Sequence, residues 1–226
     1  MKKRTIELFF QEEGAVTEKA ISDLEKAVLD MDEKLATQAA KSVLDSKIDV
    51  LKAINEGLVK GMKKVADLYE REQIFLPQVL ASANAFYAAF EILRPKMLEG
   101  AKGVGHKIVI GVVEGDIHDI GKNLVKTMME ANGYHCIDLG RDVPVENFVE
   151  AVTDQKPSFV AMSTLMTPTM KNMKRVIDGL VEENVRNSVK IMIGGGPVDQ
   201  EFAKEIGADY YGENETEAVK WLRSVS

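Results

Sequence analysis

Ile108-Val109-Ile110-Gly111-Val112-Val113-Glu114-Gly115-Asp116-Ile117-His118-Asp119-Ile120-Gly121 passes from an almost unbroken apolar run through a polar turn into an amphipathic stretch. That is the order of strand, loop and helix, and a strand apolar at nearly every position is one covered on both faces. The pattern recurs downstream. Residues 135–139, 159–162, 190–193 and 209–211 read as further strands, and helical spacing falls near 120–132, 145–155, 169–184, 198–206 and 214–224. Five βα units in series predict an α/β fold, a flavodoxin- or Rossmann-like doubly wound sheet of five parallel strands with right-handed crossovers.

Upstream the period changes. Between about Thr17 and Leu98 apolar residues recur at three and four positions: Ile21, Leu24, Val28; Leu35, Ala39, Val43; Leu51, Ile54, Leu58, Met62, Val65; and Leu76, Leu80, Ala83, Tyr87, Phe90. Four helices with short connections predict a small bundle. Thr17, Asp32, and Asp45 or Ser46 are the expected N-caps of the first three. Pro77 suits the first turn of the fourth, whereas Pro95 is expected to kink or end it. The glycine-rich Gly100–Gly105 segment separates a helical domain, residues 1–100, from an α/β domain, residues 101–226.

A chain of 226 residues with 45% hydrophobic content supports packed cores in both domains. Its 36 acidic side chains exceed 29 basic ones, giving a net charge of -7 with no basic block, which argues against nucleic acid or an anionic membrane surface as partner. The one cysteine, Cys136, is expected to be a buried thiol of a reducing compartment. With no apolar signal core and no run of membrane-spanning length, the expected location is the cytoplasm.

Loops leaving the carboxyl ends of strands in such a sheet converge on one crevice. The first carries Asp116, His118 and Gly121, the third Ser163 to Thr169, and the fourth Gly194, Gly195 and Gly196. His118 can bind a metal through one ring nitrogen while the other donates to Asp116, or it can cap the helix that begins near Asp119. His106 and His135 lie at or within strands, so a zinc or iron site built from protein alone lacks ligands. A metal bound here is therefore expected to arrive already held by a macrocycle. Three consecutive glycines either admit a ligand to the backbone or make a tight turn. Gly111 to Gly115 lacks Gly-x-Gly-x-x-Gly spacing, which disfavours a dinucleotide. Ser163, Thr167 and Thr169 offer hydroxyls that can also serve as helix caps. Met162, Met170 and Met173 read as core, with Met166 open to a flat ligand.

Asp116-x-His118-x-x-Gly121, Ser163-x-Leu165 and Gly194-Gly195 together resemble the three-part pattern of cobalamin-binding domains in the methionine synthase and corrinoid-protein group. Ile74-Phe75-Leu76-Pro77-Gln78-Val79 is similar to the part of the helical cap over the upper corrin face. The likeness spans residues 17–224 and is nearest to the free-standing corrinoid proteins of methylotrophic methyltransferase systems. It implies cobalamin or a related corrinoid with His118 as lower axial ligand and Asp116 hydrogen-bonded to it. Thr169 would extend that relay where methionine synthases have serine. Gly115, Ile117, Asp119, Gly121 and Leu165 would contact the cofactor. The resemblance places the nucleotide tail near Ser163, Thr167, Gly194, Gly195, Gly196 and the 212–215 loop. Phe75 or a neighbour would shield the cobalt-bound methyl group.

The resemblance further implies a methyl carrier with no catalysis of its own. A substrate:corrinoid methyltransferase would load Co(I), a methylcorrinoid:acceptor methyltransferase would empty methyl-Co(III), and a reductive activation protein would restore the reduced state. The 100–105 joint would be a hinge. A corrinoid-dependent sensor, a mutase cobalamin-binding subunit and a flavodoxin-like domain are the rival readings. A sensor would need an output module, and no basic helix-turn-helix unit is expected here; a mutase subunit would resemble the second half without the four-helix cap; and stoichiometric corrinoid separates the last.

Overall fold

The computed structural model describes residues 17–99 and 101–225. The chain divides into two compact units, Met1–Glu99 and Gly100–Ser226.

In the first unit α1 covers 17–29 and α2 covers Glu33–Asp45. Helix α3, Val50–Ala53, runs without a break through a π-helical stretch, Ile54–Val59, into α4, Lys60–Glu70. Helix α5 is Leu76–Leu98. Asp32 caps α2 as expected, accepting from the Leu35 N–H at 2.9 Å. The cap of α3 is neither Asp45 nor Ser46 but Asp49, which accepts from the Lys52 N–H at 2.6 Å. Asp45 closes α2, and Lys47 turns the chain with φ +54° before Asp49 is reached. Thr17 lies inside the described part of α1. Pro77 sits in the first turn of α5, but Pro95 does not end it, since the helix continues to Leu98.

Gly57 and Gly61 let α1 lie directly on this long helix. A Cβ on Gly57 would come 2.8 Å from Leu24 Cβ, and one on Gly61 would come 2.9 Å from Val28 Cβ. Glu25 on the same stretch of α1 pairs with Lys60 at 2.9 Å and with Lys64. Leu24, Val28, Val43, Ile54, Leu58, Val65, Phe86, Phe90 and Leu93 form the unit's core. The buried face of α5 is Ser82, Ala85, Phe86, Ala89, Phe90 and Leu93. This corrects the expected stripe, because Leu76 and Leu80 are exposed. Apolar residues lie on every side of this helix along its length, so spacing alone does not choose the inward face.

In the second unit five parallel strands, β1 Lys107–Val113, β2 His135–Val143, β3 Phe159–Ser163, β4 Lys190–Gly194 and β5 Tyr210–Tyr211, are ordered β2-β1-β3-β4-β5. They are linked by α6 Ile120–Ala131, α7 Val145–Gln155, α8 Met170–Glu182 and α9 Gln200–Ile206, and α10 Glu215–Val225 follows the last strand. Alternate residues serve opposite layers. Val109, Val113, Val160, Met162, Ile191 and Ile193 pack with Phe148, Met173 and Ile177. Ile108, Ile110, Phe159, Ala161 and Met192 pack with Met129, Ala218 and Leu222. Helices thus cover both faces, which explains the continuous apolar runs. Trp221 of α10 stacks on Tyr210, with ring centroids 4.7 Å apart and planes 5° apart.

The expected buried thiol is half-buried, with burial pushing Cys136 up to about 12. The segment after Gly100 is not loose throughout. The Val104 N–H donates to the Gly133 carbonyl at 2.9 Å, and a Cβ on Gly133 would lie 1.7 Å from the Lys102 carbonyl oxygen. From Lys102 onward the joint is docked on its own unit.

Candidate functional site

The sheet order reverses between β1 and β3, and the crevice at the carboxyl ends of those two strands is where ligands of doubly wound sheets bind. The loop after β1 begins with a tight turn in which the Asp116 N–H donates to the Val113 carbonyl at 3.2 Å. Gly115 takes φ +84° at its third position, as a type II turn requires. The turn directs the Asp116 carboxylate inward, where it is fully buried.

That carboxylate is surrounded by donors. Oδ1 accepts from the His118 N–H at 2.9 Å and lies 2.7 Å from His118 Nδ1. Oδ2 accepts from the Thr164 hydroxyl and from the Leu165 N–H, both at 2.6 Å. Burial pushes the Asp116 carboxyl up, but the hydrogen bonds from Thr164, His118 and Leu165 outweigh it and hold the group below its ordinary value. An ionised carboxylate only accepts, so it assigns the neutral imidazole's proton to Nδ1 and leaves Nε2 as a ligand atom. The His118 side chain is 50% exposed. Around it Ile117, Leu165 and Met166 also stand exposed.

Thr164 is a member of this cluster that the sequence reading did not single out. It is fully buried and its Oγ1 lies 2.6 Å from Thr169 Oγ1. Thr164 gives its proton to Asp116, so the single Thr169 proton goes either to Thr164 Oγ1, which joins Thr169 to Asp116 at one remove, or to the Met166 carbonyl at 2.8 Å. Its side chain does not cap α8. Nor does the His118 side chain cap α6: the residue at that position is Asp119, with no side-chain capping bond. Ser163 ends β3 beside Val112 and Gly194, and Thr167 is exposed at the start of a 3-10 turn, Thr167–Thr169, whose last residue is buried. Gly121 is exposed in the first turn of α6.

The glycine loop answers a protein contact. Gly195 has φ +130°, and a Cβ there would lie 1.7 Å from the Thr164 carbonyl oxygen. The Thr164 N–H donates to the Gly194 carbonyl at 3.2 Å. Gly196 has the Leu165 side chain 3.0 Å from its Cβ position, and Gly194 has the Gly212 carbonyl at the same distance. These glycines let the loops after β3 and β4 press together, as the tight-turn alternative requires. In the 212–215 loop, Asn214 accepts from the Thr216 and Glu217 amides at 3.0 and 2.9 Å and so caps α10. Phe75 is 69% exposed at the start of α5, its N–H held by the Gln78 side chain at 2.9 Å.

Among the described residues no three His, Cys, Asp or Glu side chains gather into a metal site. One free imidazole nitrogen backed by a buried carboxylate, at the switch point of a flavodoxin-type sheet, fits a metal that brings its other donors with it. This is the arrangement of the cobalamin-binding class.

Comparison with known proteins agrees. Residues 106–220 and 20–94 each match a family described as a B12 binding domain. The chain is 42% identical over 214 residues to trimethylamine corrinoid protein 1 of Methanosarcina acetivorans, covering 93% of this chain and 99% of that one. The structure of the Methanosarcina barkeri monomethylamine corrinoid protein superposes with a TM-score of 0.86 at 38% identity, covering 93% of this chain and all 100% of the other. The Methanosarcina barkeri methanol:cobalamin methyltransferase complex contains a chain 35% identical, with a TM-score of 0.52, covering 92% of this chain and 79% of that one. The chain belongs to the B12-binding corrinoid proteins of methyltransferase systems. No helix among the described residues is long and apolar enough to cross a membrane.

Proposed function

We propose that this protein is a corrinoid methyl carrier in which His118 Nε2 would hold the cobalt. The observation that carries the reading is the buried Asp116 carboxylate 2.7 Å from Nδ1, which leaves the opposite ring nitrogen on an exposed, apolar-flanked surface. When bound, the corrinoid supplies a cobalt that takes up a methyl group when reduced to Co(I) and yields it from Co(III).

The protein's own part is to orient one imidazole and to let it go. With Nδ1–H donating to Asp116, the ring is fixed in tautomer and direction and its Nε2 is made more basic. On release, a proton taken up at Nε2 gives an imidazolium that the same carboxylate stabilises. Exposed Ile117, Leu165 and Met166 offer an apolar bed to the macrocycle. Ser163, Thr167 and the Gly194–Gly196 backbone are the groups we assign to the nucleotide tail, with Asp119 and Gly121 on the approach to it. Phe75 is the side chain we assign to shielding the transferred methyl group.

A methyltransferase partner loads the carrier and a second one empties it, and a reductive activation protein completes the set. The methyltransferase complex that contains a relative of this chain supports the first of these partnerships. Loading the protein with hydroxocobalamin and recording its absorption tests the reading. We expect one corrinoid per chain, and for His118→Ala a bound corrinoid whose spectrum has lost the protein imidazole. A protein that retains no corrinoid, or a His118→Ala spectrum identical to the parent's, overturns it.

A further inference from the structure

The turn that carries Asp116 into the protein is gripped by a residue from a different strand. Asp142, next to last in β2, takes φ +51°, a conformation in which non-glycine residues are uncommon. Its N–H donates to the Asp116 carbonyl at 2.8 Å. Its Oδ1 accepts from the Gly115 N–H at 2.7 Å. One residue thus holds the peptide groups on either side of the Gly115–Asp116 peptide, with its backbone and its side chain at once. From the other side the Asn172 side-chain amide, itself 6% exposed, donates to the Glu114 carbonyl at 2.8 Å. Arg175 donates to Asn172 Oδ1 and to a Glu114 carboxylate oxygen, both at 3.0 Å.

We infer that Asp142 is a positioning residue for the cobalt ligand, acting through Gly115 and Asp116 on His118; this rests on the axial role proposed above. The backbone conformation at 142 needs only glycine or asparagine. What those needs leave unexplained is a carboxylate aimed at the Gly115 amide. A negatively charged acceptor on that amide makes one of the stronger kinds of hydrogen bond. It pins the turn from which the Asp116 side chain departs, and Asp116 sets the plane of the imidazole. Asp142 holds the backbone of Gly115 and Asp116 and acts on the ring only through them, so its effect is on how often His118 is correctly aimed.

The test is a graded series at one position. Asp142→Gly keeps the left-handed backbone and removes the acceptor, and Asp142→Asn keeps a neutral, weaker acceptor. In corrinoid-free protein, exchange of the Gly115 amide should quicken about tenfold in the glycine variant and about threefold in the asparagine variant. With hydroxocobalamin loaded and reduced to Co(II), the ratio of histidine-ligated to unligated cobalt, read from nitrogen splitting in the electron paramagnetic resonance spectrum, should fall in the same order. Should Asp142→Gly fail to fold, Asp142→Asn carries both measurements. Unchanged amide exchange, or a ligated fraction equal to the parent's in the variants that fold, overturns the inference. If the parent itself shows no histidine nitrogen on cobalt, the axial-ligand reading fails instead, and the amide exchange still judges the clamp.

Discussion

At the scale of single residues, Asp116 is a hub whose oxygens face only donors, two of them backbone amides. Asp116-x-His118 was legible because a carboxylate two residues from an imidazole has few other uses in a strand-end loop. Thr164 was not, since four hydroxyl residues crowd one short loop and nothing local says which turns inward. Thr169 was the one chosen for the relay, and it sits a step further away. Thr164→Val keeps the shape and leaves Asp116 Oδ2 with the Leu165 amide alone. We expect a loss of about 2 kcal/mol in urea unfolding and an Asp116 carboxyl that moves up toward its ordinary value. A cost indistinguishable from zero would mean that this hydroxyl is not a support of the site.

At the scale of elements, β1, β3 and β4 were legible because helices cover both their faces, and an apolar run is the direct trace of that. Strand β2 was expected to stop at Leu139 yet runs to Val143. It is an edge strand whose end includes exposed Arg141 and Asp142, so no apolar pattern announces it. The same strand is tied to α6 by Asp138, which pairs with nearly buried Lys122 at 2.6 Å and with Lys126 at 2.8 Å. Burial pushes the Asp138 carboxyl up, but these lysines and the Gly140 amide hold it below its ordinary value of 3.8. A depressed folded-state pKa contributes stability that is complete above the unfolded value and is lost as pH falls through the folded one. Asp138→Asn should therefore cost about 3 kcal/mol at neutral pH, because it strands the Lys122 charge. At a pH acid enough to protonate the folded parent's Asp138 as well, the difference from the parent should nearly vanish. Chemical unfolding at the two pH values measures both, and a penalty independent of pH would refute the ion-pair account.

At the scale of the whole molecule, each unit owns its core, and the B12 binding matches fall separately on the two. The change of hydrophobic period near residue 100 made the division readable, whereas the inward face of α5 was hidden by apolar residues on every side of that helix. A fragment of residues 101–226 is expected to fold cooperatively by circular dichroism and to take up hydroxocobalamin in proportion to its concentration. A fragment that is unfolded, or that stays colourless after loading, would show that the helices are needed to make the sheet unit or its site.

The chain has one tryptophan, Trp221, and it lies in the sheet unit against Tyr210 and Phe159. Selectively excited emission therefore sees that unit and is blind to the helical one. Far-ultraviolet ellipticity sees both. Recorded on one sample during one melt, the two signals divide the stability of the protein between its halves without a label, a cut or a mutation.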